Sequence, residues 1–309
     1  MTRVSNYAQH LLNQSYMRGT QNRVNDAMVQ VASGKIAQSY DKLGIQSFQL
    51  LGLETSQTRS NQFIANIDRA LGRMDAMETT MTTLVDRATY LLTQLSSAIS
   101  GSNADDIALD SLGAGFLEEV AGLLNTQHQG RHIFAGSRGD RPPVDVSAYD
   151  PTAGLPGTFT PDTSYYQGDN VEAVVRADDD FELTYGVTAD DPAFENLIRA
   201  LSYVEWAGDP AVATADQKAV LSEAYDLTKQ AIEGLSELRS ELGARYSVLE
   251  SAKTGHEDFL AYAGNAISDI EDADVAEAIT RVTNENVQLQ ASYMTLSKLS
   301  EVSLLNFLR

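Results

Sequence analysis

The chain has 309 residues, no cysteine and a formal net charge of -21, which excludes a disulfide framework, a thiolate metal site and a cysteine nucleophile. Such acidity opposes binding to nucleic acid or anionic lipid through phosphate neutralisation, and it is concentrated, because Ser137 to Pro210 holds fifteen acidic and four basic residues. The length allows two or three domains with a sizeable core. The longest apolar runs are too short to span a membrane, and Met1 to Thr20 lacks the apolar stretch of a secretory signal peptide. No membrane contact or cleaved leader is therefore expected, and exit from the cell would need another route.

Met1 to Ala32 reads as a weakly amphipathic helix with apolar points at Val4, Tyr7, Leu11, Val24, Met28 and Val31, interrupted by Asn13, Gln14 and Asn22 and marginal alone. Ser33-Gly34-Lys35 breaks it, and Tyr40 to Glu54 is expected to be an irregular connector. From Leu53 a long helix builds toward Ile99-Ser100-Gly101. Its apolar or small residues are Phe63, Ile67, Ala70, Met74, Met77, Met81, Leu84, Ala88, Leu91, Leu95 and Ala98, every step four or three. A seam this regular predicts a helix roughly 50 Å long packed lengthwise on another. Charges such as Asp68, Arg73, Asp75, Glu78, Asp86 and Arg87 keep the other face wet.

Ser102 to Asp106 is a capping signal for a second helix. Its points Leu109, Leu112, Phe116, Val120 and Leu123 suit an antiparallel return along the first. Gly113, Gly115 and Gly122 permit close approach, and it stops around Gln129-Gly130. All seven prolines lie between Pro142 and Pro210, which locates the non-helical part. Within it, His132 to Ala135, Tyr165 to Gln167, Val171 to Arg176 and Phe181 to Val187 read as strands, the last alternating cleanly. Residues 137–190 therefore read as a small β module, separable from the helices around it.

Asp191-Pro192 restarts helix as N-cap and N1, with Phe194, Leu197, Ile198 and Leu201 on one face. After Asp209-Pro210 a longer helix runs to about Gly264, with Leu235, Leu238, Leu242, Tyr246 and Leu249 buried. Ala266 to Arg309 contains neither Gly nor Pro. Its seam is Val275, Ile279, Val282, Asn286, Leu289, Tyr293 and Leu296, and it finishes in Leu304, Leu305, Phe307 and Leu308, an apolar end that calls for a partner. The expected fold is mainly α with a small β insert: a long antiparallel helical bundle or coiled coil from both chain ends, with an inserted β-rich outer domain. Expected parts are 1–40 with 270–309 as terminal assembly helices, marginal or disordered in a monomer; 41–136 with 191–269 as a helical core; and 137–190 as the insert.

No grouping carries catalysis, cofactor binding or a metal. His128 and His132 are four apart but lack a third ligand. Asp178 to Asp180 lacks the spacing and glycine of a calcium loop. Arg138-Gly139-Asp140 matches an integrin-binding tripeptide, a match too short to carry weight. No phosphate-cradling glycine loop or nucleophile elbow occurs.

Gly130-Arg131-His132-Ile133-Phe134-Ala135-Gly136 resembles the Gly-Arg-Tyr-Leu/Ile-Phe-Ala-Gly signature of the flagellin superfamily, and within it that of the hook-filament junction proteins. Pro142-Pro143-Val144 and Tyr165-Tyr166-Gln167-Gly168-Asp169 are similar to further runs of that family. Asp272 to Thr280 and Ser303 to Leu308 are similar to its carboxyl-terminal helix. Val31 to Lys35 and Ser39 to Ile45 depart from its amino-terminal pattern, which leaves junction protein and flagellin both open. The resemblance implies a structural, non-enzymatic part of the bacterial flagellum, extracellular and exported through the flagellar type III apparatus without a cleaved leader. The implied partners are further copies of the chain in a ring or helical array, the first hook-associated protein, flagellin and an export chaperone. The assembly surface is expected at Leu11, Val24, Met28, Val275, Ile279, Val282, Leu289, Tyr293, Leu296, Leu305 and Leu308. A second class of function, a surface module whose acidic insert binds an extracellular ligand, stays beside it.

Overall fold

The structure is a computed structural model that describes residues 2–100 and 108–307, with side chains at Ala8 and from Leu11 to Lys298 within those limits. Six helices dominate: α1 (Thr2–Ser33), α2 (Gln46–Ser100), α3 (Leu109–Leu124), α4 (Pro192–Ala207), α5 (Thr214–Glu271) and α6 (Val275–Phe307). Four short strands, β1 (Gln127–His128), β2 (Arg131–His132), β3 (Val174–Arg176) and β4 (Glu182–Thr184), pair as two antiparallel hairpins, β1 with β2 and β3 with β4. The fold is thus mainly α with a small β insert. None of the described helices is long and apolar enough to cross a membrane.

The chain forms two compact units, one of residues up to Arg59 together with those from Asp258, the other Ser60–Glu257. In the second, every seam position from Phe63 to Ala98 is buried, Ile67 and Met77 through Leu95 completely. The α5 face at Leu235, Leu242 and Leu249 joins the same cluster as this seam. Arg239 reaches Glu78 at 2.7 Å, Lys253 reaches Asp68 at 2.7 Å, and the His256 ring stacks on Phe63 at 5.3 Å. The capping signal at Ser102 to Asp106 lies outside the described residues. Gly113 is pressed onto the α4 backbone at Glu205, whereas Gly115 and Gly122 face open space.

Helix α4 begins where the sequence places it, with the Asp191 carboxylate accepting from Ala193 N at 2.8 Å. It is buried nearly all round, Glu195 and Arg199 included. The insert lies against it: Val144, Tyr165, Val175, Tyr185 and Val187 belong to the one buried cluster that also holds the α2 seam and α4. Extended pairing is shorter than expected. Only Val174–Arg176 and Glu182–Thr184 form a ladder there, Tyr166 makes a single bridge to Val144, and Ile133 to Ala135 runs as a buried bend. Burial on all sides lets side chains, rather than a ladder, fix this backbone.

In the first unit α1 packs against α6. Helix α2 starts at Gln46, earlier than Leu53, because Leu50 is fully buried and draws its turn into helix. Ala266 to Arg309 is not continuous. The chain breaks after Glu271, where Ile36 N donates to Glu271 O at 2.6 Å and Ala273 N to Gly34 O at 2.8 Å. Asp274 then caps α6, its carboxylate accepting from Glu277 N at 3.0 Å, an Asp-x-x-Glu start signal.

Candidate functional site

The family-like runs scattered over forty residues meet in one place. The β1–β2 turn, Gln129-Gly130, has φ of 52° and 77°, the doubly positive turn whose twist matches a two-residue hairpin. Gly130 supplies one of those residues without strain. Arg131 then donates from Nη2 to Ser137 O at 3.1 Å. Phe134 is fully buried, edge-on to Phe194 of α4 at 5.5 Å, and its carbonyl accepts from Ala189 N at 3.0 Å. Ala135, also fully buried, accepts from Asp169 N at 3.4 Å. Gly136 has φ +66°, and a Cβ there would collide with the Asp169 carbonyl. The signature is therefore a tight corner: Gly130 takes a positive-φ turn position, Ala135 is fully buried, and Gly136 takes a positive-φ position where a Cβ has no room.

Around that corner the second and third runs close. Gln167 N donates to Pro143 O at 2.8 Å, Asp145 N to Tyr165 O at 2.9 Å, and the Tyr166 hydroxyl to Asp169 O at 2.8 Å. The Ser137 hydroxyl and amide donate to the Asp169 carboxylate, which holds its pKa below the usual carboxylate range. Two supports went unread in the sequence. Asn125, just past α3, grips Val144 from both sides, Nδ2 donating to its carbonyl at 2.8 Å and Oδ1 accepting from its amide at 2.9 Å. Arg73, expected on the wet face, donates to Ile133 O at 2.8 Å. Neither carries a periodic signal, since each acts through one polar contact to distant backbone.

Glu195 and Arg199, one turn apart and about 95% buried, pair at 2.8 Å, and Glu195 also accepts from Asp162 N at 3.0 Å. This ties the insert's loop to α4. His128 and His132 sit on the hairpin rather than on a helix, and the His132 ring is already engaged with Asn125 O at 2.7 Å and the Gln127 amide at 2.9 Å. Among the described residues no group of three or more His, Asp and Glu gathers as a metal site. The arrangement is a fastening, and its chemistry is hydrogen bonding and packing.

The terminal helices present the other candidate surface. On α1, Thr20, Val24 and Ala27 are buried; on α6, Ala278 is buried and Val282, Glu285, Leu289, Ser292 and Leu296 are half-buried. Both sets step by four and three, a coiled-coil seam. Arg23 clasps Glu285 with two bonds, at 2.8 and 3.0 Å, and Arg281 donates to Gln30 at 3.2 Å. Val24 thus lies inside the α1–α6 pair. Leu11, Met28, Val275, Ile279 and Tyr293 are 41–50% exposed. The Leu305 side chain and Leu308 lie outside the described residues. Among the described residues, every exposed large apolar side chain except Tyr90, Val171, Val174 and Val248 belongs to this unit.

The chain thus combines terminal helices that have a narrow internal seam and exposed apolar flanks with a helical body that carries an insert. Residues 225–308 match the family model of the bacterial flagellin C-terminal helical region. Three solved structures share the fold. One is a flagellar hook-associated protein from Vibrio parahaemolyticus (14% identity, TM-score 0.61, covering 73% of this chain and 97% of that one). The others are FlgL from Bacillus cereus (20%, 0.52, 72% and 98%) and FlgL from Xanthomonas campestris (12%, 0.53, 70% and 98%). No curated protein matches by sequence.

Proposed function

We propose that the chain is a structural axial component of the bacterial flagellum that joins hook to filament, assembling through α1 and α6. The observation that carries this reading is the segregation of exposed apolar side chains into the unit built from both chain ends, beside a second unit whose apolar residues are almost all internal. A surface of that kind is covered by neighbours in an assembly. The likeness in fold to hook-associated proteins supports the same reading. Its partners are further copies of itself, the first hook-associated protein and flagellin, with an export chaperone before assembly; it acts outside the cell and catalyses nothing. Ligand capture by the insert has less support, because Tyr165 and Tyr185 are buried in the common core.

Immunogold labelling of isolated flagella tests the proposal. A band at the boundary between hook and filament is expected. Label along the filament would instead make the chain a flagellin, and absence of label from flagella would remove the axial reading.

A further inference from the structure

The unit built from the chain ends carries both a protruding apolar side chain and an apolar groove that the side chain does not fill. Phe48, in the first turn of α2, is 82% exposed, and neighbouring Ile45 is 91% exposed. The groove, about 180 Å³, runs between α1 and α6 and is lined by Met28, Val31, Ala32, Ile279, Val282 and Thr283. Its one polar side chain, Thr283, already donates its hydroxyl to the Ile279 carbonyl at 3.0 Å. Only the Thr283 oxygen is left to accept a hydrogen bond there, so a polar ligand would give up most of its hydration without replacement, whereas an aromatic ring needs no such partner. The volume is of the order of one aromatic side chain.

We propose that Phe48, with Ile45 beside it, seats in the α1–α6 groove of a second copy of this chain. Protrusion and groove are different surfaces of one molecule, so the contact is heterologous: after two copies pair, each end still offers one of the two. Such a contact continues into a closed ring or an open helix. One seated ring is too small to hold copies together by itself; it sets the register, while the exposed flanks of α1 and α6 supply area. The inference rests on the axial reading above and names the contact between successive subunits.

The lack of cysteine makes the test direct. Gln49→Cys combined with Thr280→Cys places two thiols on exposed positions, one beside the ring and one beside the groove, and leaves Phe48 and the groove lining intact; a short bismaleimide reports their approach. The full-length chain is treated in isolated flagella and, separately, as concentrated purified protein. The double variant is expected to give a ladder of dimers, trimers and higher species in at least one preparation, while either single variant stops at dimer. Phe48→Asp, in the otherwise unchanged chain, should lower self-association at least about tenfold, the size of effect expected from losing one seated side chain, with an unchanged melting transition. No species beyond dimer in either preparation, or a link formed within one chain, would overturn the contact. Flagella labelled by immunogold but without a ladder remove this contact and keep the axial reading; a ladder from purified protein with unlabelled flagella does the reverse.

Discussion

Phe134→Ala tests whether the signature corner holds the insert to the helices. Phe134 is fully buried and packs edge-on against Phe194 at 5.5 Å. Truncating a buried Phe to Ala costs about 3–5 kcal/mol, transfer and cavity terms together, and the lost aromatic pair lies within that range. The chain's single tryptophan, Trp206, stands on α4 and packs against the same cluster. Its fluorescence therefore reports the Ser60–Glu257 unit alone, whereas helical circular dichroism mixes both units. With a urea m value of about 2–3 kcal/mol/M for a unit of this size, the Trp206 midpoint should fall by about 1–2.5 M. A fall below about 0.2 M, which at this slope corresponds to the roughly 0.5 kcal/mol of a surface change, would mean that the corner is not part of the core and that the packing described for it is wrong.

Further predictions follow from neighbouring contacts. Asn125→Ala leaves the buried Val144 amide and carbonyl without partners and should cost about 2–4 kcal/mol by the same Trp206 readout. Replacing residues 138–188 by a short linker removes Val144, Tyr165, Val175, Tyr185 and Val187 from the core, so the Trp206 transition should be lost or become non-cooperative. Burial, with Asp190, Glu241 and Glu237 nearby, raises the Asp191 carboxyl pKa even though Ala193 N donates to it. A raised carboxyl pKa means that the native state takes up the proton at higher pH than the unfolded chain, so ionised Asp191 weighs against folding at neutral pH and the penalty fades as pH falls through its folded pKa. Asp191→Asn keeps a good cap, should be more stable than the parent at pH 7, and should lose that advantage in an acid titration of the melting temperature. Finally, Val24→Asp should loosen the α1–α6 pair in the isolated chain, measured by helical circular dichroism and protease sensitivity, whereas Met28→Asp should spare the pair and block assembly, because Val24 is 4% exposed and Met28 47%.

The sequence was most informative where one face of a helix is buried and the other is not. Phe63 to Ala98 showed its seam at every position because water on the opposite face enforces the contrast. Asp191-Pro192 likewise showed its helix start through chemistry local to two residues. The insert was less legible. Its two strands are three residues each and those of the hairpin before it two each, and the backbone of both is held by Asn125, Arg73 and Glu195, whose contacts lie 19 to 60 residues away along the chain. No window of alternating hydrophobicity contains such contacts. The recognisable run from Gly130 to Gly136 could be matched as a motif, but its reason, a corner closed by Asp169 and Ala189, became visible only in three dimensions.

The terminal seam shows a different limit. Periodicity placed Val275, Ile279, Val282, Leu289, Tyr293 and Leu296 on one stripe, yet the side packed on α1 is centred on Ala278, with Val282, Glu285 and Leu289 beside it. An apolar stripe wider than one partner can cover divides between two, and the sequence alone does not say which edge faces inward. Among the described residues the buried ones in this seam are Thr20, Val24, Ala27 and Ala278, and Val282, Leu289, Ser292 and Leu296 are half-buried beside them. In the other unit the seam is filled mostly by Phe, Ile, Met and Leu, with Ala at three positions. Apolar burial contributes about 25 cal/mol per Å², so the internal seam of the terminal helices is the weaker of the two, while their larger side chains, Leu11, Tyr16, Met28, Ile279 and Met294, point outward. Smaller residues inside and larger ones outside fit the proposed assembly, in which a neighbouring molecule would cover the exposed apolar flanks.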